Sequence, residues 1–228
     1  YLEDLVNYNY IFSENYSDQH KIILGINSYS NKKIHNSMVV LDNNLNVIKK
    51  YDKIKLVPFG EFLPFENFFN NFGLKKITQG YQSYTAGKKR EIININSINF
   101  LPLICYEIIY SGKINKNNQN FEFILNISED GWFGNSIGPY QHFSHSIFRA
   151  IEEGKNLIRS TNNGISAFIN SKGQIISQIK STNEGFIEVK SFKDAKKTFF
   201  SAYGNKIFFY FLLFYITLFF FLKKKENK

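Results

Sequence analysis

Among the 228 residues there is one thiol, Cys105, at the end of the apolar run LPLICYE. A cysteine there either packs as a small inert hydrophobe or, at a strand-to-helix turn, presents its sulfur at a sheet edge. In the second case the amides that open the following helix can hold a developing oxyanion, and a covalent thioester becomes feasible. Tyr106 and Glu107 add polar groups that a purely structural strand end does not need. Lys53 and Glu61, in YDKIKLVPFGE, form a second constellation. An ammonium group near a thiol favours the thiolate and can stabilise an oxyanion. Glu61 follows Pro58-Phe59-Gly60, a rigid turn able to fix a carboxylate. The plain alternative for this pair is a solvated loop. The third constellation is Asn126–Tyr140, NISEDGWFGNSIGPY, where three glycines and the only tryptophan, Trp132, make a tightly bent loop after a strand. Such loops often shape a pocket. No His, Asp or Glu spacing matches zinc: His142 and His145 share a helix face without a third ligand, so no metal is expected.

The elements that must position these groups alternate between strand and helix patterns. Apolar runs at 22–26, 37–41 and 47–51 predict strands, the last two joined as a hairpin through Asp42-Asn43-Asn44. Runs at 92–95 and 98–105 flank an Asn96-Ser97 turn, and 121–127 reads as a buried strand. Phe143, Ile147, Ala150 and Ile151 fall at helical intervals after Pro139 and predict a helix to Lys155. Strands follow at 157–160, 165–169 and 175–179.

The net charge of +9 raises nucleic acid as a partner, but the lysines crowd into the tail and no basic helix is interleaved with stacking aromatics. No nucleic acid is expected. Residues 207–222, IFFYFLLFYITLFFFL, carry no charge and are followed directly by KKK. This pattern predicts a transmembrane helix over 202–222 with a basic cytoplasmic tail at 223–228, leaving 1–201 as a domain on the opposite, periplasmic face. A buried core helix is the competing reading. Between 62 and 72 five phenylalanines sit beside Pro and Asn. This stretch either packs inside or forms an arm facing lipid, with Phe62, Phe65, Phe68 and Phe69 as the substrate-entrance residues.

In order along the chain, YDKIKLVPFGEFLP, LICYEIIY, DGWFGNSIGPYQH and RAIEEGKNLIRSTNNGIS resemble the apolipoprotein N-acyltransferases, the membrane branch of the nitrilase (carbon-nitrogen hydrolase) superfamily. The resemblance covers about residues 20–222. It implies an α/β fold, a nitrilase-type α-β-β-α sandwich, followed by one C-terminal transmembrane helix in a bacterial inner membrane. It also implies transfer of an acyl chain from a phospholipid donor to the N-terminal cysteine amine of a diacylated lipoprotein acceptor, with no cofactor. Motif by motif, Cys105 matches the nucleophile and Lys53 the family lysine, with Glu61, Tyr106 and Glu107 as further functional residues. The family's general-base glutamate belongs to a WPE-like motif upstream of Tyr1, and Glu3 and Glu14 lack that context. The chain is therefore expected to be a C-terminal fragment, inactive alone. Glu129 stands where the family more usually carries Asn. Two rival readings remain, a tethered nitrilase-type amidase and a non-catalytic anchored module.

Overall fold

The computed structural model describes residues 1–65, 83–115, 119–191 and 196–226. Strands β1 (Ile22–Ser30), β2 (Lys33–Leu41) and β3 (Val47–Asp52) form an antiparallel sheet in that order. Strands β4 (Ile93–Ile95), β5 (Ile98–Ile104), β6 (Phe123–Glu129), β7 (Asn156–Asn162), β8 (Ser166–Ile169) and β9 (Ile175–Ile179) form the second sheet. Its middle, β5-β6-β7, is parallel, and its edges are antiparallel hairpins. Helix α2 (Gly138–Glu153) connects β6 to β7, as a parallel pair requires a crossover. A short helix α1 (Asn9–Asn15), preceded by a 3-10 turn over Leu2–Tyr8, was not signalled by the polar, Asn- and Tyr-rich sequence.

Alternation along the strands sets the layers. Met38 and Val40 of β2 meet Phe100 and Ile104 of β5 and Phe123 and Leu125 of β6 between the sheets. Val39 and Leu41 point the other way, onto Leu2, Leu5 and Phe12 of the N-terminal helical segment. Leu101, Leu103 and Ile124 face outward from the larger sheet and pack on Phe143, Ile147 and Ala150 of α2. The order of layers is thus helix, sheet, sheet, helix. Both faces of β2, β5 and β6 are covered, which explains their near-continuous apolar runs.

Helix α3 (Phe199–Tyr203) begins at Thr198, whose hydroxyl accepts from the Ser201 amide at 2.9 Å. It stops at Gly204, and α4 (Lys206–Glu226) follows. The apolar helix therefore starts a few residues later than the 202–222 expected, because Gly204 (φ 53°) breaks the chain direction after Tyr203. Over Lys206–Lys225 α4 is long and apolar enough to cross a membrane, and none of it is buried against the rest of the molecule. At 1.5 Å per residue it spans about 30 Å, the thickness of a hydrocarbon core.

Ile124 is completely buried beneath α2, so Ile124→Ala is expected to cost about 2–5 kcal/mol of stability. Ile176→Ala, at a half-exposed position of β9, should cost under about 1 kcal/mol. Urea unfolding of the detergent-solubilised protein checks the contrast.

Candidate active site

Cys105 closes β5 and opens a 3-10 turn over Cys105–Ile109. Its φ of 48° lies in the left-handed region, which a residue with a Cβ adopts only where its surroundings enforce it. The reversal lifts the half-buried cysteine off the strand end beside the first amides of the turn, which have no partner within the turn.

Glu107 enforces that geometry. Its carboxylate is fully buried and takes the Ile104 amide at 3.0 Å, the Tyr51 hydroxyl at 2.8 Å, and the Ile54 and Lys55 amides at 3.1 and 3.2 Å. Arg90 supplies the compensating charge at 2.7 Å and also donates to the Ile114 carbonyl at 2.9 Å and the Tyr51 oxygen at 3.1 Å. Burial, and then the Glu107 charge, push the Tyr51 hydroxyl far above its ordinary range, so it remains a donor. One buried carboxylate thereby ties the cysteine turn to the loop that follows β3.

That loop carries Lys53. Its ammonium is almost wholly buried and pairs with Glu61 at 2.8 Å. Glu61 also accepts from the Val57 amide at 2.8 Å and from Asn36 at 2.7 Å, while the Lys53 amide donates to the Asn36 carbonyl at 2.8 Å. Lys53, Glu61, Cys105 and Glu107 are thus held on two adjoining turns. Tyr106 stands edge-on to Tyr110, ring centroids 5.6 Å apart. Of the anticipated arm, Phe62 is half-buried and Phe65 is 82% exposed, whereas Phe68 and Phe69 lie outside the described residues.

Behind the cysteine turn lies a second polar cluster that the motifs indicated only as a bent loop and two histidines on one helix face. Asp130 accepts from Arg159 at 2.8 Å and from Ser128 at 2.8 Å. His142 places Nδ1 2.9 Å from Asp130 and 3.0 Å from Arg159. Its Nε2 lies 3.3 Å from the Cys105 carbonyl. Arg159 also donates to Asn126, whose amide reaches the Leu103 carbonyl at 3.2 Å. Burial alone would raise the Asp130 carboxyl, but the His142 hydrogen bond and the Arg159 charge outweigh it and hold the carboxyl below its ordinary value. Burial lowers Arg159, opposed by the charge of Asp130 and, more weakly, by Cys105. Glu129 accepts from the Gly131 amide at 2.7 Å and from Asn163 at 3.1 Å, stapling the loop start. Among the described residues no three His, Cys, Asp or Glu side chains are grouped to hold a metal ion.

The arrangement suits covalent catalysis by a thiol: a cysteine in the left-handed region at the start of a turn, and a buried ammonium on the adjoining loop. Residues 17–190 match the Carbon-nitrogen hydrolase family. The chain is 40% identical over 157 residues to an apolipoprotein N-acyltransferase of Rhizobium leguminosarum bv. trifolii (strain WSM2304), covering 68% of this chain and 29% of that protein. It is 38% identical over 193 residues to the apolipoprotein N-acyltransferase of Wigglesworthia glossinidia brevipalpis, covering 81% and 38%. The chain thus spans about a third of the length of these curated relatives. Among solved structures, an amidase from Nesterenkonia sp. superposes with a TM-score of 0.55 at 13% identity, covering 79% of this chain and 65% of that one. At that identity the likeness concerns the fold.

Glu107→Gln would leave Arg90 buried beside a neutral amide, and a stability loss of about 3–5 kcal/mol is expected in urea unfolding. Asp130→Asn carries a pH signature. Ionised Asp130 contributes stability that is complete above its unfolded value, about pH 4, and is lost as pH falls through its lower folded value. The stability gap between the parent and Asp130→Asn should therefore narrow below about pH 4.

Proposed function

The chain belongs to the Carbon-nitrogen hydrolase family, and we propose that it forms the catalytic domain of an apolipoprotein N-acyltransferase. The observation that carries this reading is the Cys105 turn, joined by Glu107 to the loop on which Lys53 is buried. The similarity to named acyltransferases supports the choice of reaction. The membrane setting fits α4, the exposed Phe59 and Phe65, and the exposed Trp132 and Ile137 of the bent loop.

In this reading the Cys105 sulfur attacks an ester carbonyl of a phospholipid, giving a tetrahedral oxyanion held by Lys53 and a turn amide. The ester C–O bond breaks, the lysophospholipid leaves with a proton, and a thioester remains. The amine of a diacylated lipoprotein then attacks the thioester, loses a proton, and regenerates the thiol. The thiol proton needs a base. Glu61 is occupied by Lys53, Val57 and Asn36, and Glu107 by Arg90 and the backbone, so neither carboxylate serves well. By the resemblance to the acyltransferases, the base is the glutamate of a WPE-like motif. Tyr106 flanks the thiol, and the arm with Phe62 and Phe65 admits the acyl chain. With the lysines of the last turn of α4 in the cytoplasm, the domain faces the periplasm.

Full-length protein exposed to phospholipid vesicles should gain one acyl chain by intact mass, and Cys105→Ser should remove that adduct. Lys53→Met should slow adduct formation by about 10²–10³-fold. An adduct persisting in Cys105→Ser, or turnover of a simple amide without phospholipid, would count against acyl transfer and, in the second case, for a tethered amidase.

A further inference from the structure

A cleft of about 330 Å³ opens beside the loop after β3, and its wall is basic: Lys55, Lys88, Lys89, Arg90 and Lys113, with Tyr110 at its side. Among the described residues no carboxylate lines it. Arg90 is committed to Glu107, and Lys89 pairs with Glu91. Lys55, Lys88 and Lys113 are exposed and have no carboxylate partner among the described residues. The Lys55 ammonium lies 5.7 Å from the Tyr110 ring centroid. Cations gathered around one concavity repel each other in the free protein and focus a positive potential into it, so an anion entering there relieves a standing cost.

The position of the cleft narrows the choice of anion. Lys113 directly follows Gly112, which packs on the segment immediately before α4. A side chain on Gly112 would press on the Asn205 backbone, and Asn205 donates to the Ser111 carbonyl at 3.2 Å. Consecutive Cα atoms lie about 3.8 Å apart, so the cleft rim stands within one residue of the point where the apolar helix leaves the domain. If α4 spans the bilayer, this is the depth of lipid phosphates. A zwitterionic headgroup would bring an ammonium against uncompensated lysines, whereas a glycerol headgroup brings only the phosphate.

We propose that the cleft of Lys55, Lys88 and Lys113 binds the phosphate of an anionic glycerophospholipid headgroup at the membrane surface. The proposal rests on the membrane reading of α4 above and not on the acyl-transfer step. Full-length protein in detergent, titrated with short-chain phosphatidylglycerol, phosphatidylcholine and sn-glycerol 3-phosphate under native mass spectrometry, tests it. Phosphatidylglycerol should bind about tenfold or more tightly than phosphatidylcholine, and the combined Lys55→Gln, Lys88→Gln, Lys113→Gln variant should lose that preference. A matched variant with Lys223, Lys224 and Lys225 changed to Gln should keep it. The proposal is overturned if the wild type does not distinguish the two lipids, a result independent of any variant's folding. It is equally overturned if the tail variant loses as much preference as the cleft variant. Binding of glycerol 3-phosphate as tight as that of phosphatidylglycerol would identify a soluble phosphate ester as the ligand and overturn the lipid assignment. Cys105→Ser should retain the preference, so failure of acyl transfer and failure of the cleft read out separately.

Discussion

The structure around the thiol depends on one buried carboxylate. Glu107 gathers donors from three separate segments: the end of β5, the loop after β3, and Arg90. A carboxylate suits that junction because it only accepts, and five converging donors would leave an amide oxygen oversubscribed and its nitrogen without an acceptor. The charge is tolerable at full burial because Arg90 neutralises it and backbone amides fill the remaining lone pairs. Without this joint, nothing in the local sequence would require Cys105 to hold its left-handed conformation or tie its turn to the loop that carries Lys53.

The thiol turn is braced from both sides. On one side stand Glu107 and Arg90, and on the other Asp130, Arg159 and His142, the last of which reaches the carbonyl of Cys105 itself. Each cluster pairs an acid with an arginine, whose planar fork bridges several acceptors at fixed angles. Buried ion pairs of this kind are weak as net stabilisers, since desolvation consumes most of the attraction. Their effect here is geometric: they leave the turn few alternatives.

The apolar helix is coupled to this frame. Ser111 and Arg149 both donate to Glu152 on α2, Ser201 of α3 donates to Glu153, and Gly112 and Gly204 approach so closely that neither position has room for a side chain. The turn that starts at Cys105 therefore continues, within a few residues, into the seat of α4. Tyr110 and Lys113 of the basic cleft lie on the same short stretch of chain as Cys105, so the proposed lipid contact and the proposed chemistry share a scaffold.

Local pattern was enough for most strands, the long helix and the apolar segment, because each depends on the hydrophobic period of its own residues. The sequence likewise marked Cys105, Lys53, Glu61, Tyr106 and Glu107 as unusual groups in ordered motifs. It did not reveal how they combine. Glu107 lies 53 residues from Ile54 and 17 from Arg90 along the chain, and no periodicity relates such positions. Arg159, His142 and Asp130 carried no signal as a cluster, since β6, α2 and β7 meet only after the parallel sheet closes. The same holds for the cleft: its lysines look like ordinary solvated charge in the sequence. Which side chains share a cavity is decided by the packing of distant segments, and that belongs to the tertiary structure alone.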